Sequence, residues 1–331
     1  MDEKNFRAYL TEKKASEEGI EKFVALLKDY QQFLEKKNQT ISKVDPKELV
    51  EYTEHLVEIK KEIVLDFLRA LLNYSYFIKR NDLVEAAIDI FESFNALDNL
   101  YLRVAEWHGE ETRDEIFKGV TLPPLGVHPE KKPEVTKIVL KRLEEKLGEE
   151  KMIDLLKPCL HSGYDSGRDI EKDRKEYHEL GIDGFLAKIK NEQVKSFENN
   201  RDSGTPAFAQ EVDEEVVNYV KNLETSAIGK REGNIIYITK IPYQVKKLLT
   251  TDDNRMKRFY ACYCPWVRGA IKNGTEKEIS DHFCQCSGGW YKAYFEKLFE
   301  QPVTIEPVET ALTGVPYCKF AVHLPENIII K

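Results

Sequence analysis

Apolar residues recur at helical spacing from Ile20 through Phe23, Val24 and Leu27 to Phe33 and Leu34, which predicts an amphipathic helix. Asp45-Pro46-Lys47-Glu48 is a helix-start signal, with an acidic cap, a proline in the first position and a glutamate three residues after the cap. The helix it opens carries Leu49, Tyr52 and Leu56 on one face. Ile63, Val64, Phe67, Leu68, Leu71 and Leu72 mark a third helix, and 83–94 a fourth. The first 118 residues therefore read as a helical bundle. Four prolines and two glycines between Gly119 and Pro133 forbid regular structure and predict a linker over 119–133.

Beyond the linker, helices are expected over 135–147, 149–156, 177–197 and 212–223. The pattern then changes. Residues 234–239, 258–264, 302–310 and 317–324 are rich in β-branched and aromatic side chains and are bounded by turn residues, as strands are. The last two are joined through Leu312-Thr313-Gly314-Val315-Pro316 as a hairpin, and a helix is expected over 288–299. The fold class is accordingly α+β, with the N-terminal bundle followed by an α+β domain over 134–331 that carries an antiparallel sheet.

At 331 residues, 41% hydrophobic and 33% charged, the chain is long enough and apolar enough for two cores. The charged N-terminus lacks a signal-peptide run, and no stretch approaches the roughly 20 apolar residues of a membrane span, so the expected location is cytoplasmic, with no membrane partner. A net charge of −8 supplies no global attraction to nucleic acid. In a compartment where thiols stay reduced, the six cysteines are ligands, reactive groups or buried thiols before they are disulfides.

Four of those cysteines form two pairs, Cys262-Tyr263-Cys264 and Cys284-Gln285-Cys286, and Cys318 follows. Soft thiolates suit zinc, copper(I) or an iron–sulfur cluster, and a thiolate is also a nucleophile. On a strand, Cys262 and Cys264 share a face with α-carbons about 6.5 Å apart. Cys286, just before a helix, is the candidate for the most reactive thiol, because the helix start lowers a thiol pKa. Cys284 is the second candidate and His282 the base or a further ligand. Trp266, Trp290 and Tyr294 are candidate walls of a small-ligand pocket, although Trp290 and Tyr294 are also spaced as helix core. Cys-x-Cys pairs are less diagnostic of zinc than pairs separated by two residues. Three readings stand: a metal site built from Cys262, Cys264, Cys284, Cys286 and Cys318, with zinc or an iron–sulfur cluster as cofactor; a metal-free reactive pocket; and inert buried thiols. Cys159 and His161, in a glycine-containing turn running to Arg168, either join the site or are incidental.

A cysteine on a strand, a cysteine before an aromatic helix, then Val303-Thr304-Ile305-Glu306 and Leu312 to Phe320 with its Gly…Cys-x-Phe ending, resemble the closing segment of the 4-vinyl reductase family and the related aminothiazoline carboxylate hydrolase family. The likeness covers about Phe259 to Leu324. It implies a small-molecule- or metal-binding module, related in fold to ligand-binding domains of nitric oxide sensors, or a hydrolase. The hydrolase pattern places an acidic residue closely after the second cysteine, whereas here Cys286 leads into Ser287-Gly288-Gly289-Trp290, which removes the general base. The helix-turn-helix rhythm of the first hundred residues, with Phe23 to Leu34, Val44 to Leu49 and Leu68 to Ile78, resembles the SAM-like core-binding domain of tyrosine recombinases. Nothing downstream resembles the recombinase catalytic domain, and the bundle's mixed charges argue against a DNA clamp. The leading expectation is a small-molecule- or metal-binding protein, a sensor among the options, whose helical half serves interaction or homodimerisation. The alternatives are a thiol-dependent hydrolase or reductase acting through Cys286 or Cys284, and DNA binding through the bundle.

Overall fold

The computed structural model describes residues 1–161, 168–326 and 328. The turn expected after His161 falls, over 162–167, outside the described residues. The chain is an α+β protein, mainly helical with one small antiparallel sheet. Among the described residues no helix is long and apolar enough to cross a membrane.

Helices α1 (Glu3–Glu12), α2 (Glu17–Glu35), α3 (Lys47–Lys60), α4 (Val64–Phe77) and α5 (Asn81–Phe91) form the N-terminal bundle. Side chains close the starts of α2 and α3: Ser16 accepts from the Gly19 amide, and Asp45 from the amide of Lys47 at 2.9 Å, as its place before Pro46 leads one to expect. Phe6, Leu27, Tyr30, Leu34, Phe67 and Leu71 are fully buried in its core.

The bundle core ends at Ile90. Helices α6 (Ala96–His108) and α7 (Glu110–Ile116) pack instead with α8 (Pro133–Leu147) and α9 (Glu149–Leu156), in a second core that also takes in residues of the C-terminal third, Trp266, Ile271 and Cys286 among them. After this comes α10 (Ile170–Ser203), broken at Gly181, whose φ of 69° and ψ of 173° no other residue adopts cheaply. Then follow α11 (Glu214–Asn222), β1 (Lys230–Glu232), β2 (Ile235–Thr239), α12 (Val245–Leu249), α13 (Asn254–Ala261), α14 (Arg268–Asn273), α15 (Gln285–Phe299), β3 (Thr304–Glu309) and β4 (Lys319–His323).

The four strands run in the order β1-β2-β4-β3, each pair antiparallel, with Ile236 and Ile305 both opposite Val322. Strands β3 and β4 form the expected hairpin. One face of the sheet, with Ile236, Ile238, Ile305, Phe320 and Val322, packs on α10 and α15 to make a third core.

One strand expectation is overturned. Residues 258–264 do not form a strand: Asp253 accepts from the amides of Arg255 and Met256 and caps α13, which runs to Ala261, and Cys262 to Cys264 follow as an irregular turn. The cap decides the local backbone, and the aromatic residues that suggested β-structure pack just as well from a helix.

Candidate functional site

Helix α15 links two cores. Cys286 in its first turn belongs to the core around α6 and α9, while Tyr291, Phe295 and Phe299 pack on the sheet. Where the two cores meet, beside Cys318, lies a partly enclosed cavity of about 340 Å³. Four separate stretches of chain bring cysteines to its wall: Cys159 after α9, Cys264 after α13, Cys284 and Cys286 at the start of α15, and Cys318 before β4. Its size lies at the lower end of the range typical of small-molecule sites.

The remaining wall is mostly aromatic and aliphatic, with Trp290, Tyr291, Phe283 and Phe320, and carries a few polar groups, among them Lys240 and His161. Lys240 follows β2, and its backbone amide donates to Cys318 O at 2.9 Å, extending the sheet ladder by one bond and setting the lysine opposite Cys318. Its ammonium lies 4.1 Å from the Tyr263 ring centroid and donates to Ser287 Oγ at 3.1 Å. Among the described residues no carboxylate pairs with it.

The segment 157–161 is held in place from two sides. From α6, the Arg103 guanidinium donates to the carbonyls of Leu155, Pro158 and Cys159 at 2.6, 3.0 and 3.1 Å, and Asn99 donates to Leu160 O at 2.6 Å. From the other side Gly289 of α15 lies directly on it. A β-carbon there would stand 2.8 Å from the Pro158 carbonyl carbon and closer still to Lys157 O and Cys159 N. Glycine is required so that helix and segment can meet backbone to backbone.

That contact brings two thiols together. The Leu160 amide donates to Cys286 Sγ at 3.1 Å, which sets Cys286 beside the residue after Cys159, and both cysteines line the cavity. The Cys286 thiol, the His161 amide and the nearby cations Lys240 and Arg103 together bring the Cys159 thiol down to about 7, against the opposing effect of its burial. Cys286 is pushed the opposite way, by the neighbouring Cys159 and by its own burial. The expectation that the helix start would make Cys286 the most acidic thiol is therefore reversed: the acidic thiol is Cys159. Burial also raises Cys264, to about 12, and raises Cys262, Cys284 and Cys318. His161 is pushed down by burial, and its Nδ1 faces Phe94 O at 3.3 Å, which leaves Nε2 as the acceptor nitrogen of the neutral ring.

Of the other residues singled out in the sequence, Trp290 lines the cavity and Trp266 does not; it is buried beside Lys132. The hydroxyl of Tyr294 turns away and donates to Asp173 at 2.7 Å. His282 lies outside the cavity, paired with Glu149 at 3.0 Å. Cys262 is buried behind the wall, its Sγ 4.0 Å from Cys264 O. Lys240 and Arg103 carried no sequence signal, since a lysine ending a strand or an arginine within a helix reads as a solvated charge. Cys159 and His161 stood out only as a thiol and an imidazole in one turn.

The sulfurs suit a soft metal chemically, but a zinc or iron–sulfur site needs several thiolates aimed at one point. Among the described residues no group of three Cys, His, Asp or Glu side chains is so placed. All six cysteines are free thiols. Comparison with protein-family models, curated proteins and solved structures finds no match for this chain.

Proposed function

We propose that the chain is a small-molecule-binding protein of a reducing, cytoplasmic compartment, whose ligand occupies the cysteine-lined cavity at the start of α15. One observation carries this reading: four distant stretches of chain bring five cysteines, and a fifth brings Lys240, to the wall of a single, mainly apolar space. A cavity with apolar walls and a few convergent polar groups is the usual form of a ligand site. Lys240, which donates to a hydroxyl and lies over an aromatic ring with no carboxylate paired to it among the described residues, favours a ligand with an anionic end. The likeness of the C-terminal segment to vinyl-reductase-type modules points the same way.

A panel of single-ring aromatic carboxylates, amides and amines, followed by NMR shifts of the Trp290 indole and of residues around Lys240, tests the proposal. Saturable shifts confined to the cavity are expected, strongest for the carboxylates and weakened at least about tenfold by Lys240→Met, the loss of one charge-assisted contact. If every fragment leaves the cavity resonances unmoved, the reading fails. A second reading, thiol-dependent turnover, is favoured by Cys159, a half-buried thiol that ionises near neutral pH on the cavity wall.

A further inference from the structure

Cys159 and Cys286 come side by side where α15 meets residues 157–160. Their juxtaposition is built into the backbone. Gly289 lets α15 lie directly on residues 157–159, the amide of Leu160 reaches Cys286 Sγ at 3.1 Å, and Arg103 clamps the carbonyls that precede and include that of Cys159. Both sulfurs face the same cavity, with Cys159 half-buried and Cys286 7% exposed. The Lys240 and Arg103 cations and the His161 amide favour the thiolate on Cys159, the less buried of the two, and burial favours the protonated form of Cys286. A more accessible attacking sulfur backed by a more protected resolving sulfur is the arrangement that thiol–disulfide exchange requires.

We infer that Cys159 and Cys286 are a redox-active dithiol that reduces low-molecular-weight disulfides entering the cavity. The inference rests on the reading of that cavity as a small-molecule site. In the first step the Cys159 thiolate attacks one sulfur of the incoming disulfide. The sulfur–sulfur bond breaks, one half departs as a thiolate, and a mixed disulfide is left on Cys159. Cys286 then gives its proton to the departed thiolate and attacks the Cys159 sulfur, expelling the second half, which takes a proton from solvent. The protein loses two electrons and gains one internal disulfide, and the substrate becomes two thiols. Exchange with a monothiol pool runs the same steps backwards and restores the dithiol. Cys264, Cys284 and Cys318, protonated at neutral pH, do not compete.

The test uses the full chain and 2-hydroxyethyl disulfide, a small neutral probe, with acid quenching, alkylation, intact mass and peptide mapping. Wild type is expected to release two equivalents of thiol, lose two hydrogens and yield one cross-link, Cys159 to Cys286, at a rate that rises through a midpoint near pH 7. Cys286→Ser should stop at a mixed disulfide on Cys159 with one equivalent released, Cys159→Ser should lose the reaction, and Cys262→Ala, which removes a thiol that lies behind the cavity wall, should match wild type. A cross-link between other cysteines, a mixed disulfide that persists in wild type, or no reaction overturns the inference. The wild-type map decides the matter even if a variant fails to fold. Aromatic fragments binding beside Lys240 in Cys159→Ser would leave the cavity reading intact when the dithiol chemistry fails.

Discussion

Lys132 is fully buried, and its ammonium, 5.2 Å from the centroid of the Trp266 ring, has no hydrogen-bond partner among the described residues. Burying a cation without a partner is costly, and here burial lowers its pKa from 10.5 to about 7. The folded value lies below the unfolded one, so between these limits the unfolded chain binds a proton that the native chain has shed. Stability therefore rises with pH across that interval, and the penalty is greatest at pH 7 and below. Lys132→Met, which keeps the volume and the ring contact, should raise stability at pH 7 by about 2 kcal/mol or more, and should flatten the rise between pH 7 and 9 by up to about 1.4 kcal/mol per unit. Urea unfolding of both forms at pH 7, 8 and 9 checks this, and parallel pH profiles would refute it. Nothing in the sequence marked Lys132, because burial of one lysine is decided by the helices that close over it. The cysteine pairs were legible since their clustering needs no tertiary knowledge, whereas the meeting of Cys286 with the segment of Cys159, through the amide of Leu160, spans 126 residues and exists only in the packed molecule.

Helix α15 carries two adjacent glycines with different roles. A β-carbon on Gly288 would lie 3.3 Å from Phe320 Cδ1, a contact that a small shift of the ring relieves, whereas one on Gly289 would enter the backbone of residues 157–159. Alanine favours helix over glycine by about 1 kcal/mol, so Gly288→Ala should be nearly neutral. Gly289→Ala should lose about 2 kcal/mol or more through backbone displacement, and should also slow thiolate labelling of Cys159 at pH 7 by separating it from Cys286. Thermal melts and iodoacetamide kinetics on the two variants distinguish these outcomes, and equal behaviour would show that α15 does not need this close approach. Periodicity located the helix but set its start at 288, three residues late, because Gly288 and Gly289 resemble a cap. The strand expected over 258–264 failed for the converse reason, that the cap signal at Asp253 outweighed aromatic content further along. By contrast the β3–β4 hairpin was legible, since turn residues and alternation agree there.

At the scale of the whole molecule, α5 is the seam between the bundle and the rest of the chain. Val84 and Ile88 pack on Tyr243, Glu85 accepts from Gln244 and Lys247 at 3.2 and 3.1 Å, and Asp89 receives both the Tyr243 hydroxyl and the buried Arg268 guanidinium, the latter at 2.6 Å. Arg268 also stacks on Tyr243 and Phe259, with 4.7 and 5.3 Å to their centroids. Removing Asp89 would leave a buried guanidinium with its main charge partner gone, a change that costs about 3 kcal/mol or more in comparable buried pairs. The loss would fall on the seam and not on either core, so it should lower cooperativity as well as stability. All three tryptophans, at 107, 266 and 290, lie outside the bundle, so tryptophan fluorescence follows the C-terminal body while far-ultraviolet circular dichroism follows all the helices. In wild type the two signals should give one coincident urea transition. In Asp89→Ala the dichroism curve should separate from the fluorescence curve, while Asp66→Ala, which removes only the partner of the more exposed Lys22 and Arg69, should leave them together. Coincident curves with an unchanged midpoint in Asp89→Ala would mean that the apolar contacts of α5 alone join the two parts.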